Sequence, residues 1–314
     1  MERIRARLTA IWRRPITPET YRVVAAVALV ALGVIVVSGA AVRLTGSGMG
    51  CPTWPTCEDE SLIPRGATGG HGWVEFLNRT FTGAVSLAVA LAVLGSRRLR
   101  PPRPDLTALA WALVGGVFAQ ALLGGLVVWL HVAPLAVAGH YLLSAVLVAT
   151  AVVLHHRAAL PPGPRRPLAT PPVLRSSTAL VALTAVVLAT GTVVTGSGPH
   201  GGDEAADRLP FAVRTVVSVH SGAVWLLLFA TLVVLARAEK GDVAPGALGR
   251  GRVLLGAIGA QGAIGYLQYF TDVPEGLVAL HVLGSVLVWV AVLRFHLALH
   301  EAEVGEPADL ASVA

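Results

Sequence analysis

The chain has 314 residues, of which 54% are hydrophobic and only 13% charged, and its mean hydropathy is +0.70. Soluble domains carry about 25% charged residues, so this chain lacks the polar surface to coat a water-soluble globule. A pI near 10.1 does not point to a nucleic-acid partner, because the basic residues lie between the apolar stretches and mostly in alternate connections.

Eight apolar stretches are predicted as transmembrane helices, over about 23–42, 76–95, 106–130, 136–154, 178–195, 213–236, 253–270 and 277–297. Each approaches the ~20 residues that cross a bilayer, and none carries a charge at its middle. The short alternating segments of a membrane barrel are absent from the pattern. The first stretch follows a basic segment, as a signal peptide would. It is longer than a typical signal core and has a counterpart opening the second half, so it is kept as a helix.

Arg3, Arg5, Arg7, Arg13, Arg14 and Arg22 precede the first stretch. Further basic groups fall after the second (Arg97, Arg98, Arg100, Arg103), fourth (Arg157, Arg165, Arg166, Arg175) and sixth (Arg237, Lys240, Arg250, Arg252), with Arg294 near the end of the eighth. Only Arg43, Arg65, Arg79, Arg208 and Arg214 fall on the opposite side. The positive-inside rule then places both termini in the cytoplasm of a cell-membrane, multi-pass protein. The expected organisation is a cytoplasmic segment over 1–22, a four-helix bundle over 23–154, an irregular Pro-rich linker over 155–177, a second bundle over 178–297 and a tail over 298–314. Beyond about His300 the tail is poor in apolar residues and is expected to be disordered.

The two halves repeat. Thr45-Gly46-Ser47-Gly48 follows the first stretch and Thr195-Gly196-Ser197-Gly198 the fifth. Gln120, Gly124 and His140 recur with the same spacing as Gln261, Gly265 and His281. Four helices per half gives both halves one orientation, so the expected fold class is all-α, two tandem four-helix bundles related by a pseudo-two-fold axis along the membrane normal.

His140, His220 and His281 lie inside predicted helices near their outer ends, where an ionisable group is expensive. His140 and His281 are repeat equivalents, and His220 falls opposite Asn78. The second half thus has a histidine pair on alternate helices, and the first has Asn78 with His140. Two imidazoles projecting into a bundle core suit a haem iron, whereas zinc would want three or four ligands. The haem propionates could then reach Arg79 or Arg214. The plainer alternative makes these histidines hydrogen-bonding residues between helices. His71, in an outer loop, is a further candidate for the first site. His131, His155, His156, His296 and His300 read as interfacial or solvated, and His200 as an outer-loop residue.

The first outer loop carries Cys51 and Cys57, the only cysteines. Six residues apart on the oxidising side, they allow a disulfide, either a plain staple or a redox-active pair. Glu75 precedes Asn78 by three positions and shares its helix face. It reads either as a carboxylate above the first site or as a charge favoured by a helix N-terminus.

The run "VRLTGSGMGCPTWPTC" from Val42 to Cys57 resembles the first-loop signature of the heme A synthase family, and Glu75 to Arg79 is similar to that family's Glu-x-x-His-Arg motif. His140, His220 and His281 match its histidines on the fourth, sixth and eighth helices. The resemblance covers the chain apart from its tail. It implies an integral membrane oxidoreductase that oxidises the C8 methyl of heme O to the formyl of heme A for cytochrome oxidase assembly. It further implies haem b between His220 and His281, heme O as substrate beside His140, and Glu75 as the essential carboxylate, with Cys51 and Cys57 as the loop pair. Asn78 departs from the motif's histidine, leaving His140 alone, or with His71, on the substrate iron. Heme O synthase and cytochrome oxidase assembly proteins are the implied partners, in contact with membrane lipid, with a homo-oligomer left open. The alternatives are a diheme b-type electron-transfer cytochrome and a transporter.

Overall fold

Proline sets the start of most of the helices, where its missing N–H is no loss and its fixed φ suits the first turn. In the computed structural model, which describes residues 15–241 and 243–302, it does so for α1 (Pro18–Leu44), α3 (Pro104–Trp129), α4 (Pro134–Ala158), α5 (Pro171–Ser197) and α7 (Pro245–Phe270). At α1 the Thr17 hydroxyl adds a cap, accepting from the Thr20 N–H at 3.2 Å. The remaining helices are α2 (Gly70–Ser96), α6 (Val213–Lys240) and α8 (Glu275–Leu297). All eight are long and apolar enough to cross a membrane.

Their surface is inverted relative to a soluble protein. Val23, Val27, Val30 and Val34 form an exposed stripe on α1, and Phe118, Phe229 and Phe270 project outward, Phe270 with 75% of its surface free. Apolar side chains arranged like this face acyl chains, and the protein is a multi-pass membrane protein.

The helices are longer than the apolar stretches. α5 starts at Pro171 rather than 178 and includes Arg175; α6 runs on to Lys240; α7 starts at Pro245 and includes Arg250 and Arg252. Hydropathy marks only the part in hydrocarbon, whereas helical hydrogen bonding continues into the interface, where long basic side chains reach water. α2 begins at Gly70, so Glu75 sits beyond its first turn and is not a helix-terminal charge.

In sequence order each of α1 to α4 packs on the next, and α4 returns to α1; α5 to α8 do the same, α8 returning to α5. The two sets meet along α1–α8, α4–α8 and α4–α5. That seam carries polar ties as well as apolar packing. The Tyr141 and Ser285 hydroxyls are 2.9 Å apart, and the Trp289 indole donates to the Ala145 carbonyl at 2.8 Å. Small residues let helices approach, as where Gly251 lies against Leu235 and Phe295.

The segment over 155–177 is more ordered than expected. Strand β1 (Arg165–Pro167) pairs antiparallel with β2 (His300–Ala302), and Leu168 N–H donates to the Leu299 carbonyl at 2.9 Å. The backbone after α8 therefore continues into a ladder with the linker. The disorder expected for the rest of the tail, and residues 1–14 of the N-terminal segment, lie outside the described residues.

Candidate functional site

At one end of the molecule the α1–α2 loop is held by a disulfide between Cys51 and Cys57. Both sulfurs are buried, and the loop packs onto the start of α2. Gly50 makes this possible, because a Cβ there would collide with the His71 carbonyl. The Thr68 hydroxyl donates to the Gly50 carbonyl at 2.6 Å.

Glu75 and Arg79 fasten the loop from below. Glu75 is only 6% exposed. Its Oε2 accepts the Cys51 N–H at 2.7 Å, and its Oε1 accepts from Arg79 Nε at 3.0 Å and Nη2 at 2.6 Å. Arg79 Nη1 donates to the Thr53 and Thr56 carbonyls at 2.9 and 2.8 Å, and Nη2 to the Cys51 carbonyl at 2.9 Å. A guanidinium has five N–H donors, and this one uses all of them here. No donor of Arg79 is left for a propionate. Arg214, the other cation considered for that task, is exposed near the start of α6. On the far side, the Trp54 ring lies against Gly125 of α3 and meets Trp129 edge-on at 5.8 Å. The loop thus bridges α2 and α3.

Asn78, His140, His220 and His281 all lie about 9 to 12 Å along their helices from the N-terminal ends, at 1.5 Å per residue. His220 on α6 and His281 on α8 belong to the same four-helix set, in which α5 and α7 each pack against both of these helices. The Thr190 hydroxyl is 3.0 Å from His220 Nδ1 and donates to the Val187 carbonyl at 3.0 Å. With its proton committed there, Thr190 receives the Nδ1–H, which leaves the Nε2 lone pair of His220 free. Orienting one imidazole nitrogen through the other is how ligand histidines are fixed.

Glycines give the rings room. A Cβ on Gly191 would stand 3.3 Å from His220 Cε1, one on Gly265 would stand 3.1 Å from His281 Cε1, and one on Gly124 would stand 3.4 Å from His140 Cε1. Gln261 Nε2 donates to the His281 carbonyl at 2.7 Å, and Gln120 Nε2 to the His140 carbonyl at 3.1 Å. In each half the glutamine Oε1 and the histidine Nδ1 are buried without a partner. Among the described residues no cluster of three or more His, Cys, Asp or Glu could hold a bare metal ion. Free Nε2 atoms, glycine cradles and a threonine that sets the tautomer fit a haem iron between two imidazoles in the second half.

The first half differs. Asn78 Oδ1 accepts the Ser38 hydroxyl at 2.7 Å, so the amide occupies the slot that His220 fills in the other half. His71 is exposed at the start of α2, its Nδ1 2.9 Å from the Ser47 hydroxyl. His200 Nε2 donates to the Val273 carbonyl within the second half at 2.8 Å, and the His200 carbonyl accepts from Arg43 Nη1 of the first half at 2.7 Å. His296 Nδ1 is 3.0 Å from the Ser177 hydroxyl.

Two residues that touch these groups escaped the sequence reading, Ser38 and Thr190. Each is a hydroxyl followed by glycine, shortly before a Thr-Gly-Ser-Gly run. That pattern is the signal that could have found them.

A family model described as cytochrome oxidase assembly protein matches residues 22–199. Proteins named heme A synthase are similar over parts of the chain. The one from Shouchella clausii (strain KSM-K16) is 35% identical over 129 residues, 40% of this chain and 42% of that protein. The one from Lysinibacillus sphaericus (strain C3-41) is 34% identical over 101 residues, 32% of each. The one from Geobacillus thermodenitrificans is 30% identical over 96 residues, 30% of this chain and 29% of that protein. The matches thus span less than half the length of these curated relatives.

Proposed function

Because the chain belongs to the family of cytochrome oxidase assembly proteins, we propose that it is a heme A synthase, an oxidoreductase that converts the C8 methyl of heme O to a formyl. The observation that carries this reading is the inequality of the two halves. The second has two imidazoles, His220, oriented by Thr190, and His281, while the first has one imidazole, an amide and a clamped loop with a buried carboxylate. A diheme electron-transfer cytochrome would need both axial positions filled in both halves, so Asn78 counts against it. A transporter would not need oriented imidazoles at matching depths.

In this reading the halves are tandem bundles related by an axis along the membrane normal. Residues 23–154 form the substrate-haem unit and 178–297 the haem b unit, with both termini in the cytoplasm. Haem b, when bound, supplies one-electron chemistry. His220 and His281 would hold it through Nε2, with Thr190 keeping the tautomer, and His140 would hold the substrate haem.

Both Glu75 oxygens already accept hydrogen bonds, so Glu75 acts as a fixed negative charge and loop anchor rather than as a free base. Arg79 compensates that charge, and the stapled loop, with Trp54 over α3, keeps water from the first site. Heme O synthase and other cytochrome oxidase assembly proteins are the partners that would deliver substrate and take product.

The test is a Glu75→Gln variant co-expressed with a source of heme O. It should lose heme A while keeping the haem of the second half, because the amide keeps the size, removes the charge and turns one of the two acceptors that hold the loop into a donor. Undiminished heme A would remove Glu75 from the reaction.

A further inference from the structure

Asn78 takes the position of a ligand, but its surroundings give it the opposite chemistry. The Ser38–Asn78 contact of 2.7 Å has the length of an O–H···O bond and is short for N–H···O. The Ile35 carbonyl is also within reach of the Ser38 hydroxyl, at 3.1 Å, but one proton serves the shorter contact. Oδ1 is therefore turned toward α1 and occupied, and the NH2 group points away. Nδ2 has no partner among the described residues, and unlike His140 Nδ1 it is not sealed in.

In the second half the corresponding contact is Thr190 with His220, which leaves a lone pair free. In the first half the same kind of contact leaves two N–H donors free. An amide nitrogen has no lone pair to give to iron, and the amide oxygen is already taken.

The space differs too. A Cβ on Gly191 would meet the His220 ring, whereas a Cβ on Gly39, the glycine that follows Ser38, meets nothing within 4 Å.

Resting on the reading of His140 as the ligand of the substrate haem, we infer that Asn78 is a hydrogen-bond donor to a small ligand at the iron position opposite His140, oriented by Ser38. The ligand class is dioxygen, water or another small molecule that gains negative charge on binding iron, which an N–H donor stabilises. The first site is thereby built to accept such a molecule, and the second, with two imidazoles, is built to exclude it.

The test is carbon monoxide binding to the full-length ferrous protein, read by infrared spectroscopy. A haem held by His220 and His281 has no open position, so the adduct reports the first half. The expected result is an adduct that disappears in His140→Ala, with a C–O stretch that moves to higher frequency in Asn78→Leu as the donor is lost. Ser38→Ala should split the band, because the amide then adopts two orientations. Asn78→His should abolish the adduct and give a low-spin spectrum with two imidazoles. A His140-dependent adduct with the same stretch in Asn78→Leu, or one that persists in Asn78→His, would overturn the role of Asn78 alone. Absence of any His140-dependent adduct in the wild type would overturn the first-half haem site, and this inference with it.

Discussion

The Thr190 hydroxyl stands between two partners, 3.0 Å from the Val187 carbonyl and 3.0 Å from His220 Nδ1, so with its single proton on the carbonyl it accepts the imidazole Nδ1–H. The direction of that bond decides which nitrogen of His220 is left for iron. Partners of this kind typically change metal affinity by about 10–100-fold. Thr190→Val, which keeps the shape and removes the acceptor, should weaken haem retention in the second half by about that factor, while Thr190→Ser retains it. Equal haem content in Thr190→Val and wild type, measured by absorbance after purification, would show that the hydroxyl does not position the ring.

Arg79 offers a second test, because it links a carboxylate to three loop carbonyls and none of its donors is spare. Arg79→Leu leaves Glu75 buried without its counter-ion, a change that costs about 3–5 kcal/mol when a buried pair is broken. Arg79→Lys keeps the charge with only three donors in a different geometry. Both variants should lower the thermal midpoint of the detergent-solubilised protein, Leu more than Lys. If Arg79→Lys melts with the wild type, the carbonyl contacts contribute nothing.

The glycine cradles predict a sharp contrast along α7. Gly265→Val places carbon 3.1 Å from His281 Cε1 and should displace the ring and expel the second-half haem. Gly262→Ala, three residues away, meets nothing within 4 Å and should leave the haem spectrum unchanged. Spectra of the two variants at equal protein concentration decide the matter, and loss of haem in Gly262→Ala alone would reverse the assignment.

Orientation is testable separately. With most basic residues at the end that carries the termini, a fluorescent reporter fused after the tail should fold and fluoresce in the cytoplasm, and an exported phosphatase reporter there should stay inactive. An active phosphatase fusion would invert the topology.

The eight helices were legible because a bilayer imposes a length and a composition that twenty or so residues must satisfy together. Their ends were not. Arg175, Arg250 and Arg252 interrupt the apolar pattern without interrupting the helix, since a charge ends a hydropathy window but does not end a hydrogen-bond ladder.

The histidines were legible for a different reason, that His140 and His281 recur with their glutamines. The roles of Arg79 and Ser38 were hidden. Arg79 meets backbone carbonyls, which every residue has, so no side-chain pattern announces where the loop will present them. Ser38 bonds a residue forty positions away in the chain. The pairing of Arg165–Pro167 with His300–Ala302 was invisible because both are short polar segments at the edges of the apolar pattern.

The most direct measurement is the identity of the haem that the chain makes. Co-expressed in full length with a source of heme O, the protein would be purified and its haems extracted, separated by chromatography and identified by mass. The expected extract contains haem b together with heme A, the formyl product. Haem b with unconverted heme O, from a folded protein whose second-half haem is intact, would contradict the synthase reading and leave a haem-binding protein that performs no oxidation.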